Sequence, residues 1–353
     1  MTMNDGVMPR SEIEGKDNSS EDKSNYKVVC KGDMVYNSMR MWQGANGVSN
    51  YDGIVSPAYT VLMPTEEIDN QYFAALFKTS NLINEFRKNS QGLTSDTWNL
   101  KYPQIRPIRL YIPSLQEQNK ISSFIGTLEE KIGKQRQLVD ALKKYKRGVM
   151  QKVFRNMSAF SPSGFETVRL SDIFKKASRR NSNGEIKNVI TNSAEHGLIP
   201  QRDFFDKDIA VDGNTGNYYV IEYGDFVYNP RKSNTAPYGP FNRYERQEKG
   251  IISPLYTCLV LKADIEPAYL AWYFKSDAWY RYIYDNGSQG VRHDRVSMTD
   301  DLLMGIPVII PSKDSQIKIA KLLDCLEKRF QVELSQCEYL KTVREALLQQ
   351  LFI

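Results

Sequence analysis

Two stretches of the chain place apolar residues at alternating steps of four and three. The first runs through Ile121, Ile125, Leu128, Ile132, Val139, Leu142, Val149 and Val153, with Gln135 and Lys146 at the two seam positions it skips. The second repeats that register through Ile319, Leu323, Leu326, Phe330, Cys337, Leu340, Leu347 and Leu351, with Glu333 and Arg344 on the seam. Such a period keeps one side of a helix facing a partner along its whole length, the pattern of a coiled coil. Neither stretch holds an internal proline, so each is predicted as one helix of about 35 residues, roughly 50 Å long. Pro113 and Pro311 stand just upstream, where each can end a strand before its helix begins. Ile125, Leu128, Ile132 and Leu142, with Leu323, Leu326, Leu340 and Leu347, are expected at the helix–helix interface. A polar seam residue either fixes register or is tolerated at an exposed point, and both readings of the four stand open. Antiparallel pairing would relate the two halves of the chain by a pseudo-twofold axis.

Outside these stretches the period changes. Val28–Asn37 and Tyr219–Asn229 are rich in β-branched and aromatic residues around a Gly-Asp turn, and Ile251–Leu261 reads as another strand. Asn70–Lys88 and Pro267–Asp285 each read as a short amphipathic helix. The expected fold class is therefore α+β, a mixed domain followed by a long helix, twice over. The boundaries fall at 1–112, 113–157, 158–310 and 311–353.

The chain repeats itself. Ile112 onward aligns with Ile310 onward, an offset of 198, pairing Pro113 with Pro311, Gln118 with Gln316, Ile121 with Ile319, Leu128 with Leu326 and Leu142 with Leu340. Upstream, Lys31–Asn37 answers Tyr223–Asn229 at an offset of 192, Ser56 onward answers Ser253 onward, Leu76 onward answers Tyr273 onward, and Gly6–Pro9 answers Gly197–Pro200. The offsets shift because loops differ in length between fixed elements. An ordered series of this kind marks a duplication.

Two pairs of loops depart from the repeat. After the first Gly-Asp strand come Arg40, Trp42 and Gln43; at the matching place in the second copy come Arg231, Lys232 and Asn234. Arg reads guanine, and Gln or Asn reads adenine, through paired hydrogen bonds. A second pair lies at Leu93–Trp98 and Val291–Ser297, the latter offering Arg292, His293 and Arg295. For any one of these residues taken alone, a plain polar surface is the commoner reading. Like scaffolds with unlike loops suit two domains reading two different half-sites, and suit simple drift as well.

Composition narrows the classes. The 353 residues are 41% hydrophobic and 25% charged with a net charge of +5, so any nucleic-acid contact must be local. Residues 113–156 hold ten basic and four acidic residues, among them Lys143, Lys144, Lys146 and Arg147, a run that fits a solvated face or a phosphate-contacting one. The four cysteines and two histidines form no zinc pattern or disulfide framework. Neither a signal peptide nor a membrane span is legible, so a cytoplasmic location and no membrane partner are expected. Asn229-Pro230-Arg231 is no methyltransferase motif, Gly133-Lys134-Gln135 lacks the Ser/Thr of a phosphate loop, and nothing pairs as nucleophile and base. Neither an enzyme nor a cofactor or metal is expected.

The order of domain, helix, domain, helix resembles the specificity subunits of type I restriction–modification systems. The likeness is carried by Ile112–Phe154, similar to that family's central spacer, by its echo at the C-terminus, and by Tyr26–Leu62, similar to the later part of a target-recognition domain. The resemblance implies a non-catalytic subunit that binds double-stranded DNA at a split target. It also implies two methyltransferase subunits bound along the helices, recruitment of ATP-dependent restriction/translocase subunits, and S-adenosylmethionine held by the partner. One departure stands out: counterparts of about Phe165 to Val189 are missing from the first copy, so its recognition domain is expected to lack its opening strand and to expose a pairing edge. The alternatives are a coiled-coil interaction scaffold, which would show no sequence preference, an inactive truncated subunit, and a cryptic enzyme, which would turn over alone.

Overall fold

The computed structural model describes residues 6–13, 19–95, 97–203, 215–287, 294–296 and 298–352. They form two compact units, residues 1–139 with 332–353, and residues 140–331. Each unit combines one mixed domain with part of each long helix.

In the first unit, β1 (Lys27–Val29) turns through Gly32-Asp33 into β2 (Met34–Asn37). Gly32 sits at φ 97, where a side chain would be strained, and the Asp33 carboxylate accepts the Cys30 N–H at 2.8 Å. β3 (Asn46–Val48) and β5 (Tyr59–Leu62) flank β2 in an antiparallel sheet, while β4 (Gly53–Val55) pairs with β1. α1 (Asn70–Leu76) and α2 (Ser80–Asn89) follow, then α3 (Tyr102–Ile105) and the long α4 (Leu115–Arg155). Met34, Tyr36, Tyr72, Phe77, Phe86 and Leu100 form the core, closed by Phe352, whose ring centroid lies 5.0 Å from that of Tyr72.

The second unit opens with α5 (Met157–Phe160), β6 (Phe165–Arg169), α6 (Leu170–Ile173) and β7 (Phe174–Lys176). Then come β8 (Val189–Ser193), β9 (Gly197–Pro200), β10 (Tyr219–Ile221), β11 (Phe226–Tyr228), β12 (Phe241–Arg243), β13 (Gly250–Ile252) and β14 (Thr257–Leu261). The series ends in α7 (Pro267–Lys275), α8 (Tyr280–Asn286), α9 (Asp300–Met304), β15 (Pro307–Pro311) and α10 (Lys313–Leu351). Its sheets order as β10-β13-β8-β9, β12-β11-β14-β7 and β15-β6. An aromatic core of Phe226, Phe241, Phe274, Tyr269, Tyr273 and Trp279 lies between sheet and helices, with Phe241 stacked on Phe274 at 3.9 Å.

The repeat governs detail as well as order. β1–β4 matches β10–β13, and β3-β2-β5 matches β12-β11-β14. Gly224 (φ 92) and Asp225 rebuild the Gly32-Asp33 turn, and Gly6 (φ 68) lies against Gly47 of β3 as Gly197 (φ 70) opens β9 beside β12. Each long helix is fastened to its own domain by one glutamine. Gln118 accepts the Asp69 N–H and donates to the Glu67 and Pro113 carbonyls; Gln316 accepts the Glu266 N–H and donates to the Pro311 carbonyl. Asp69 and Glu266 in turn cap the N-termini of α1 and α7.

Several elements differ from the sequence reading. Each stretch read as one short helix is two, broken where Thr79 and Ser276 turn their hydroxyls back to the Leu76 and Tyr273 carbonyls. Ile251–Leu261 is likewise two strands, split at Ser253-Pro254, where a turn closes on Tyr256 and proline has no N–H for a ladder. Pro311 ends β15 as expected, but Pro113 ends no strand. The long helices run 41 and 39 residues because each starts in a polar turn ahead of the apolar seam; at the first, the Ser114 N–H and hydroxyl both donate to the Glu117 carboxylate.

All seam positions of α4 and α10 are buried or half-buried. The four polar seam residues are paired. Gln135 donates to both the backbone and the carboxylate of Glu333, at 2.9 and 2.7 Å, Lys146 meets Glu327 at 2.5 Å, and Arg344 meets Glu129 at 3.2 Å. Partner numbers rise in one helix as they fall in the other, so the helices run antiparallel. The offset of 198 maps Gln135 onto Glu333, Glu129 onto Glu327 and Lys146 onto Arg344. The last two ion pairs are thus each other's repeat mates, and the Gln135–Glu333 pair joins a position to its own equivalent.

Candidate nucleic-acid interface

In the first unit the loop after β2 is a stiff support. Met41 is fully buried beneath a single 3₁₀ turn, Met41–Gln43, which Gly44 closes in a left-handed conformation against Phe77 and Lys78. This turn leaves Arg40, Trp42 and Gln43 half-exposed on top. The Trp42 indole N–H donates to the Met39 carbonyl, its ring meets Trp98 edge-on at 5.1 Å, and the Arg87 guanidinium lies 5.7 Å from its centroid. The Leu100 N–H donates to the Ser38 carbonyl, clamping the second candidate loop onto the first.

The second unit makes the same clamp with different residues. The Val296 N–H donates to the carbonyl of Pro230, the repeat mate of Ser38, and the Lys232 N–H donates to the Asp294 carbonyl. Arg231 and Arg295 thus face each other across an antiparallel bridge. The Asp294 carboxylate lies 3.8 Å from the Arg231 Nε and 3.9 Å from the Arg295 Nε, a loose arrangement in solvent. The loop must return tightly: the Asn229 carboxamide accepts the Arg231 N–H, and a Cβ on Gly239 would meet the Asn229 carbonyl. Asn234 is exposed beside a shallow cleft lined by Lys232, Tyr238 and Tyr284. Arg292 and His293 lie outside the described residues.

Of the helix residues, Ile125, Ile132, Leu323 and Leu340 are buried, while Leu128, Leu142, Leu326 and Leu347 are half-buried. Ile125 packs with Ala75 and Leu348; Leu323 belongs to the second unit's core, with Leu326 against it. In the basic run, Lys146 is committed to Glu327, while Lys143, Lys144 and Arg147 are exposed. Sequence reasoning missed Arg87, which sits on a helix without any motif, and Asp294, which becomes meaningful only once the two loops meet. Trp98 lay inside a named loop, and its aromatic character was the available signal. Among the described residues no group of three or more His, Cys, Asp or Glu could hold a metal, and no helix is long and apolar enough to cross a membrane.

Residues 2–144 match the family model of the type I restriction modification DNA specificity domain. The chain is 22% identical over 169 residues to a Methanocaldococcus jannaschii protein named as the type I restriction enzyme MjaX specificity subunit, covering 45% of this chain and 38% of that one. It is 27% identical over 152 residues to the type I restriction enzyme HindI specificity subunit of Haemophilus influenzae, covering 41% of this chain and 32% of that one. The matches thus span about a third of the length of these curated relatives. The fold is similar to that of the type I restriction–modification S subunit from M. genitalium, with a TM-score of 0.55 at 15% identity over 99% of this chain and 92% of that one. Residues 2–144 are thus similar to the type I restriction modification DNA specificity domain, and the chain shares its fold with a solved S subunit of that system.

Proposed function

We propose that this chain is the sequence-reading, non-catalytic subunit of a type I restriction–modification complex. One observation carries the reading: in each unit the same backbone clamp brings two loops together, and the loops present different side chains, of types suited to reading bases. Arg40, Trp42 and Gln43, supported by Trp98 and Arg87, would read one half-site of double-stranded DNA. Arg231, Lys232, Asn234 and Arg295, with Arg292 and His293, would read the other. The functional division follows 1–112, 113–157, 158–310 and 311–353, the helices serving as a spacer between half-sites about one turn, roughly 34 Å, apart. Two methyltransferase subunits would dock along the helices and restriction/translocase subunits beyond them, with S-adenosylmethionine bound by the methyltransferase.

Fluorescence anisotropy on duplexes tests the DNA claim. Binding should fall tenfold or more, on the order of several phosphate contacts, between low and physiological salt. Binding indifferent to salt would instead favour an interaction scaffold.

A further inference from the structure

The second unit's first candidate loop leaves β11 at Asn229 and returns to β12 through Pro240. Three asparagines meet at its root, all more than nine-tenths buried: Asn192 of β8, Asn229 itself and Asn242 of β12. The Asn192 carboxamide donates to the carbonyls of Val227 and Pro240, at 2.8 and 3.4 Å, and so spans both legs of the loop. Its oxygen accepts from the Asn242 carboxamide at 2.7 Å, which also donates to the Ser193 carbonyl. The Asn229 carboxamide works at both ends: it donates to the Asn192 carbonyl at 3.2 Å and accepts the Arg231 N–H at 3.0 Å. A chain of hydrogen bonds thus runs from a strand of the β10-β13-β8-β9 sheet, through the root of a loop carried by the other sheet, to the backbone of Arg231.

Burying three carboxamides is costly unless they are hydrogen-bonded, and a bonded set fixes its neighbours in direction as well as distance. Asn242 is not a requirement of the shared scaffold. The first unit keeps the turn, with Asn37 accepting the Met39 N–H, but its position equivalent to Asn242 is Gly47, packed so closely on Gly6 that no side chain fits. We infer that Asn192 and Asn229 are positioning residues for sequence reading by the second unit. They contact no base; they aim Arg231 by fixing the backbone from which its side chain departs, on the strand-like bridge to Arg295. This rests on the base-reading role proposed above for Arg231.

Selection of binding sequences from a random duplex pool by the full chain tests this, with amide exchange at Arg231 followed in parallel. Asn229→Ala and Asn192→Ala should blur the half-motif that Arg231→Ala also blurs, lowering its preference over mismatches about fivefold, the order of one lost hydrogen bond, and should leave the other half-motif intact. Exchange at Arg231 should quicken by a similar factor in Asn229→Ala. Asn229→Ser, whose hydroxyl can still accept the Arg231 N–H, should recover much of the preference. Ile306→Val, which opens a small cavity beside Leu170 in the same unit, should lower the unfolding temperature and leave both half-motifs unchanged. An unaltered motif or unaltered Arg231 exchange in Asn229→Ala, no recovery in Asn229→Ser, or an equal blurring in Ile306→Val would overturn the positioning role and leave the reading role standing. A pool from which the unaltered chain selects no motif would overturn both.

Discussion

The Arg231–Asp294–Arg295 cluster decides how much positive charge the second unit offers at its loops. The carboxylate sits near both guanidiniums but far enough from each to leave their donor forks open. If Arg231 reads guanine bidentately, Arg231→Ala should cost about 1–3 kcal/mol on the cognate duplex and little on others; competition binding distinguishes this from a phosphate contact, where the loss would be equal on all sequences. Asp294→Asn removes the local counter-charge, so nonspecific affinity should rise and the log–log salt slope should steepen by about one. An unchanged slope would mean that these arginines point away from the duplex. Residue types in the loops were legible because Arg, Gln and Asn carry recognisable donor patterns. The Trp42–Trp98–Arg87 contact and the role of Asp294 were not, because they depend on a clamp between segments distant in sequence.

Among the elements, the long helices were the most legible, since a seam repeated over ten positions leaves little freedom in what must be covered. What periodicity could not supply was the reason for the polar seam residues. Their partners lie on the other helix, and Glu129 and Glu327 stand off the seam. Burial alone would push the Glu327 carboxyl up, yet donation by Gln331 and Lys146, with the charges of Lys146 and Lys275, outweighs it and holds the group below its ordinary 4.5. A carboxyl depressed in the folded state contributes stability above its unfolded value and loses it as pH falls through the folded value. The second unit should therefore weaken as pH drops below about 4.5, and Glu327→Gln should flatten that part of the denaturation-midpoint curve; parallel curves for the two proteins would refute the assignment. The glutamine fasteners were visible as a repeated residue but not as a function. Gln118→Ala leaves the Asp69 N–H and the Glu67 and Pro113 carbonyls without their partner, so it should cost the first unit about 2 kcal/mol in urea unfolding. Gln316→Ala should do the same to the second unit, and a change within error in both would show the fasteners to be dispensable.

For the whole molecule, the duplication accounts for most of what the sequence disclosed. One copy's strands, turns and caps predict the other's, down to Gly32 and Gly224 in the same left-handed conformation. Strand and helix breaks at Ser253-Pro254, Thr79 and Ser276 escaped the reading because apolar runs continue across them. The central claim is that one scaffold, used twice, reads two different half-sites. Its most direct measurement is methylation mapping of DNA treated with this chain together with a type I methyltransferase subunit, comparing the unaltered protein with Arg231→Ala and Trp42→Ala. The account predicts a split motif in which Arg231→Ala relaxes one half and Trp42→Ala the other. A motif altered in both halves by either substitution, or methylation with no split motif at all, would contradict it.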